Sequence, residues 1–459
     1  MNKKTVKFLV LISLLSLSFL LIKADDVASI PLDHKFIQYE GIWFPEIDSA
    51  KVIFNRHTSS VLEHPESGIS ASSRPYAYTQ TGIRIRFKTS SPTIILEFQE
   101  RENSGTLGLR NGFGIYADSV RIAIKEKLSF AIKKPKGNSS VLYEIVLPSL
   151  HGVNFTGLKL NKKYALEKIE PIRKPTYAAI GNSITHGTGQ QSSSFFTYPF
   201  VLAREMGWNL YNLAVAGAQT GWPIALLFKN KNVDYITIAL GFNDWMWDDA
   251  KLSLKRKQYN KLLDTLRYWQ PEAKIFCITP LKTTKSESQF DVPFSLQDYR
   301  EMSIDLIKKR RKEGDKNTFV ISGNSISEVF MLADGIHLNI RGADQFARNL
   351  EKKIRQIISP SMDVSPRMNR NKLNYKLQQN YPNPFNQETN IEFTIFKPAE
   401  IQLYIINLIG QNIASLYNGK IEPKKYHFKF KPDNCASGIY FYSLKTKNFT
   451  ETKTMTILK

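Results

Sequence analysis

The stretch AAIGNSITHG, residues 178–187, sets a short apolar run directly against Gly181, Asn182, Ser183 and Ile184. Apolar runs this short, closed by turn-forming residues, read as buried strands, so the stretch predicts a strand end with a serine in the turn at a sheet edge. The same four residues recur in VISGNSISEV, residues 320–329, as Gly323, Asn324, Ser325 and Ile326. Local pattern alone does not separate Ser183 from Ser325, because both follow apolar strands.

Working outward, short β-rich runs recur from Thr176 to about Ser359: TYAAI, LYNLAV, DYITIAL, AKIFCIT and NTFVIS. Helical patterns lie between them, with Phe196, Phe200 and Ala203 spaced four and three apart, and a last helix, GADQFARNLEKKIRQII, carries Phe346, Leu350 and Ile354 on one face. Strict alternation of strands and helices predicts a parallel sheet with helices on both faces, whose loops at the strand carboxyl ends form the site. The expected fold is therefore multidomain, with this three-layer α/β domain (residues 175–358) at its centre. Before it, residues 25–165 read as an N-terminal β-sandwich of jelly-roll type: GIRIRFKTSS turns Ile83, Ile85 and Phe87 inward, and PTIILEFQE and VLYEIVLPS behave alike. Pro171 and Pro175 mark the exit from it. Residues 359–372, with two prolines and no period, read as a linker, and residues 373–459 as a small C-terminal β-sandwich without helices.

The N-terminus carries Lys3, Lys4 and Lys7, an apolar run from Phe8 to Ile22 and then Ala24, the layout of a secretory signal peptide over residues 1–24. No later stretch reaches the roughly 18 apolar residues of a spanning helix, so no integral membrane span is expected after signal removal. Hydrophobic residues make up 42% and charged residues 23% of the chain, which excludes a disordered or collagenous protein. The formal net charge of +22 raises the question of nucleic acid. Its lysines and arginines are spread, however, over solvated helix faces such as KLSLKRKQYNKLLDTLRYW and DLIKKRRKEGDKN, with no nucleic-acid module beside them, so nucleic acid is not an expected partner and polyanions at the envelope fit better. Cys277 and Cys435 fall in different expected domains, which argues against a disulfide, and no metal-ligand spacing occurs. Neither a metal nor another cofactor is expected.

Acyl transfer needs a nucleophile, a base within hydrogen-bond reach, and donors aimed at the oxyanion. The central domain offers a candidate for each at a different strand end: Ser183, then Gly217 in NLAVAGAQT, then Asn243 in IALGFNDW, and finally Asp334 and His337 in ADGIHLNIRG. Taken singly, Gly217 is an ordinary turn glycine, and Asn243, Asp244 and Asp334 are ordinary helix caps. The ordered series GNSIT, a strand ending in Gly, GFND and DGIH resembles the SGNH (GDSL-type) hydrolases over roughly residues 175–358. That resemblance implies Ser183 as nucleophile, His337 as general base and Asp334 as the group that orients the imidazole, although some members bearing a jelly roll work with the Ser and His pair alone. It also implies an oxyanion hole of the Ser183 and Gly217 N–H groups and the Asn243 amide. Order in the chain then separates the two serines: Ser325 follows every oxyanion candidate, so it is a turn or helix-cap serine. Asn182 stands where the family usually has Asp, which keeps the shape of the turn and removes a charge.

A jelly roll followed by an SGNH domain is similar to carbohydrate esterase family 2, on domain order and on GLRNGFGIYADSVRI (residues 108–122). It implies a serine esterase, an acetylesterase acting on acetylated polysaccharide or oligosaccharide; the alternatives are a lipase or arylesterase, or a non-catalytic surface glycan-binding protein on an SGNH scaffold. Trp245 and Trp247 could stack on a sugar face or pack a core, and His186 reads as a loop histidine lining the cleft. The tail, with Tyr381 to Asn386 (YPNPFN) and Ala436 to Tyr440 (ASGIY), resembles the type A sorting domain of the type IX secretion system. It implies the type IX machinery as a partner and a protein that is secreted or attached to the outer-membrane surface.

Overall fold

The structure is a computed structural model that describes residues 26–136, 139–247, 252–286, 292–358, 375–407, 412–433, 435–446 and 450–458. The signal-peptide reading and the linker reading of residues 359–372 therefore lie outside the described residues. The chain divides into two compact units, Met1–Pro360 and Ser361–Lys459.

Two six-stranded antiparallel sheets open the first unit. Strand Arg84–Thr89 shows how the sequence specifies them: Ile85 and Phe87 alternate with Arg86 and Lys88, and the apolar pair is fully buried with Ile83. Phe54, Leu96, Phe113, Tyr143 and Phe155 close the same inter-sheet core. Two one-turn helices that the all-β pattern does not predict, Ser59–Leu62 and Arg74–Ala77, sit between strands Val52–Asn55 and Arg84–Thr89. Pro75, at the start of the second, matches the φ of a first helical turn and needs no N–H partner there.

The five central strands are parallel, in the spatial order Asn209–Asn212, Thr176–Gly181, Tyr235–Ala239, Lys274–Ile278 and Thr318–Ile321. Chain order along the sheet is thus second, first, third, fourth, fifth, a doubly wound arrangement whose crevice opens at the carboxyl end of the first strand. Alternate residues of that strand feed opposite layers. Tyr177 and Ala179 pack with Phe200, Phe346 and Leu350, from helices Tyr198–Met206 and Ile340–Ile358. Ala178 and Ile180 pack with Leu262, Leu266 and Ile307, from helices Leu252–Trp269 and Leu296–Lys312. Both faces of the strand are buried, which is why its sequence is continuously apolar instead of alternating.

The second unit holds a three-stranded and a four-stranded antiparallel sheet around Ile391, Phe393, Leu403, Ile405, Tyr442 and Met455. No helix occurs among its described residues.

Candidate active site

The first strand ends at Gly181, where a side chain would collide with Thr185 and crowd the Ala239 carbonyl, so the strand can turn sharply into the one-turn helix Ser183–His186. Asn182 caps that helix: its Oδ1 accepts the Ile184 N–H at 3.1 Å. An amide oxygen makes this bond as an aspartate would, which is how the turn tolerates Asn. Ser183, at 9% exposure, stands at the first helical position.

His337 arrives from the loop before helix Ile340–Ile358, and its Nε2 lies 2.8 Å from Ser183 Oγ. Its Nδ1 lies 2.7 Å from Asp334 Oδ2. An ionised carboxylate only accepts, so Nδ1 carries the proton, and Nε2 is left as the acceptor for the serine hydroxyl. Burial raises the Asp334 pKa, but the His337 N–H and imidazole and the Ile336 N–H outweigh it and hold the carboxyl below its ordinary value. Those two backbone bonds, 2.8 Å from His337 and 3.0 Å from Ile336, also fix the carboxylate's direction. Gly189 permits the close approach behind the imidazole, since a side chain there would collide with the Leu338 carbonyl and crowd His337 Cβ.

The remaining expected groups converge on the same strand ends. Gly217 has φ +84°, and a Cβ on it would collide with Ser73 Oγ from the N-terminal sandwich. Neither the Gly217 nor the Ser183 N–H donates to a protein acceptor among the described residues. Asn243, 4% exposed in helix Phe242–Met246, donates one Nδ2–H to the Ala218 carbonyl at 2.9 Å, which leaves its second N–H uncommitted. Asp244 is fully buried and ties the two loops together, accepting the Thr220 N–H at 2.9 Å and hydroxyl at 2.9 Å beside Lys255 at 3.2 Å.

Three sequence readings separate here. Ser325 is exposed and donates its hydroxyl to the Ser322 carbonyl at 2.8 Å, inside its own turn and away from His337. Trp247 is 55% exposed, whereas Trp245 is 1% exposed in a core with Phe242, Leu296, Tyr299 and Met302, so the pair does not form one stacking platform. His186 does not line a cleft. It is fully buried, with Nδ1 accepting the Ala216 N–H at 3.0 Å and Nε2 donating to the Ser149 carbonyl at 2.6 Å, because the helical turn points it inward at the sandwich. Sequence reasoning missed the contribution of the sandwich: Arg56 and His57 bond the loop before Gly217, Ser73 lies against Gly217 itself, and the Thr79 hydroxyl meets His186 Nε2 behind the nucleophile turn. Among the described residues no cluster of ligating side chains could hold a metal ion, and no helix is long and apolar enough to cross a membrane.

Comparison with known families agrees with this layout. Residues 179–345 match the model of the GDSL-like Lipase/Acylhydrolase family. The central domain is a GDSL-like lipase/acylhydrolase domain. Residues 379–458 match the Secretion system C-terminal sorting domain. No curated protein matches the chain. Among solved structures, the salicylyl-acyltransferase SsfX3 from a tetracycline biosynthetic pathway aligns at TM-score 0.60 and 18% identity, over 74% of this chain and 98% of its own. A family two carbohydrate esterase from Cellvibrio japonicus aligns at 0.53 and 14% identity, over 72% and 98%. One from Clostridium thermocellum, in complex with cellohexaose, aligns at 0.50 and 16% identity, over 61% and 94%. These likenesses show a shared fold.

Proposed function

We propose that the chain is an exported serine esterase whose GDSL-like domain removes acetyl groups from carbohydrate. The observation that carries the reading is the continuous chain from Asp334 through His337 to Ser183, two contacts of 2.7 and 2.8 Å with the tautomer set for proton abstraction. Ser183 Oγ attacks the ester carbonyl as His337 Nε2 takes its proton, and the Asp334 carboxylate stabilises the resulting imidazolium. Negative charge then develops on the carbonyl oxygen, where the N–H groups of Ser183 and Gly217 and the second Asn243 N–H act as donors already in place. Collapse passes the proton from His337 to the departing sugar oxygen. Water repeats the sequence to release acetate.

Carbohydrate as substrate is supported by the β-sandwich plus SGNH arrangement shared with the family two esterases and by the exposed Trp247 beside Asn243. Export by a type IX route is supported by the match over residues 379–458. Turnover of nitrophenyl acetate, and acetate release from acetylated xylan, glucomannan and pectin, tests the activity. Wild-type protein should release acetate and Ser183→Ala should not. Cleavage of lipid esters with no acetate from any of these glycans would overturn the substrate assignment.

A further inference from the structure

The loop that carries Gly217 is held from outside its own domain. Arg56 follows strand Val52–Asn55 of the N-terminal sandwich and is 1% exposed. All four of its described hydrogen bonds go to main-chain carbonyls. Nη1 donates to Asn212 at 2.9 Å and to Ala214 at 2.7 Å; Nε donates to Thr79 at 2.7 Å and Nη2 to Tyr76 at 2.8 Å. His57 Nε2 donates to the Leu213 carbonyl, between the two Arg56 acceptors, at 2.9 Å. On the other side of the loop, the Leu213 and Val215 N–H groups donate to Ala179 and Gly181 of the first strand, and the Ala216 N–H donates to His186. From Leu213 to Ala216 every main-chain N–H is thus committed, the Ala214 N–H to Asn212 Oδ1, and the first N–H without a protein acceptor among the described residues is that of Gly217.

A buried guanidinium is costly to desolvate, and satisfying main-chain carbonyls elsewhere in a protein does not require one. Its planar fork, unlike a lysine ammonium, fixes the relative position of two acceptors two residues apart. We infer that Arg56, with His57 beside it, is a positioning residue for the reaction: the N-terminal sandwich sets the direction of the Gly217 N–H, so the sandwich is part of the oxyanion hole's construction. This rests on the serine esterase reading above. It also gives the fusion of the two domains a chemical reason, because a hole lacking this clamp would have to pay reorganisation when charge develops.

The test compares purified full-length wild type with Arg56→Met and Arg56→Lys on nitrophenyl acetate, folding being checked by near-ultraviolet circular dichroism. Arg56→Met should lose about 10- to 100-fold in kcat with KM within twofold, since the clamp acts on the transition state, and Arg56→Lys should fall between. Amide exchange at Leu213, Val215 and Ala216 should quicken in the Met variant. A folded Arg56→Met with kcat within twofold of wild type overturns the inference. Should Arg56→Met not fold, His57→Leu and His57→Gln decide: lower kcat in Leu with recovery in Gln, which keeps a donor, supports the clamp, and two unaltered rates overturn it. Wild type inert toward every ester would sink the esterase reading instead, and unchanged exchange in the Arg56 variants would then sink the clamp separately.

Discussion

Asn243→Ala isolates the oxyanion contribution proposed for a single N–H. The amide has two N–H groups: one is spent on the Ala218 carbonyl at 2.9 Å, and the other is the group proposed to meet the oxyanion. Truncation removes both, with separable consequences. Loss of the structural bond leaves a buried carbonyl unsatisfied and should cost about 1–3 kcal/mol of stability, read as a lower urea midpoint. Loss of the catalytic donor should cost about 2.7–4 kcal/mol of transition-state stabilisation, a fall of roughly 10²–10³ in kcat. The ground-state ester carbonyl makes little use of that donor, so KM should stay within about a factor of three. Steady-state kinetics on nitrophenyl acetate at 25 °C, with protein shown to be folded by its denaturation curve, provides the measurement. A folded Asn243→Ala enzyme with kcat unchanged within threefold refutes the role, whatever happens to its stability. A parallel rise in KM and no change in kcat would equally refute it, because that pattern belongs to substrate binding.

Other consequences are as specific. Ser183→Ala should abolish ester cleavage while Ser325→Ala leaves it intact, and the reverse result overturns the site. Trp245→Ala should destabilise the fold by about 3–5 kcal/mol, whereas Trp247→Ala should leave the urea midpoint unmoved and raise KM for oligosaccharides. Burial, with Arg56 adding to it, lowers the His57 pKa to about 3. Below about pH 6.5 the unfolded chain then binds a proton the folded one refuses, so stability is full above that pH and is lost as pH falls toward 3. From pH 7 to 4.5 the loss from His57 should be on the order of 2–3 kcal/mol, with His186, also lowered by burial, acting in the same direction. A flat urea midpoint over that range would contradict it. Deleting residues 373–459 should leave the protein in the periplasm; secretion of the truncated chain, or loss of polysaccharide binding in its place, would argue that the tail is a binding module.

Much of this was legible in one dimension. Burial on both faces forces a continuous apolar run, so the five parallel strands announced themselves, and alternation in the sandwiches did the same at Ile83, Ile85 and Phe87. The blocks holding Ser183, Gly217 and Asn243 follow strand ends, where turns restrict residue type, whereas His337 lies on the loop before the last helix and was picked out by the order of the blocks. Local sequence could not rank Ser183 over Ser325, nor tell Trp245 from Trp247, nor see that His186 faces inward. Each of those depends on which way a side chain points once distant elements pack, and a single turn of helix is enough to reverse it. The bond between Ser183 and His337 spans 154 positions, and the grip of Arg56 on Asn212 spans 156. Sequence determined which chemical groups the chain carries and the strand ends that hold them. Only tertiary packing decided which of them meet, because hydrogen bonds act over about 3 Å and nothing local encodes a distance across the chain.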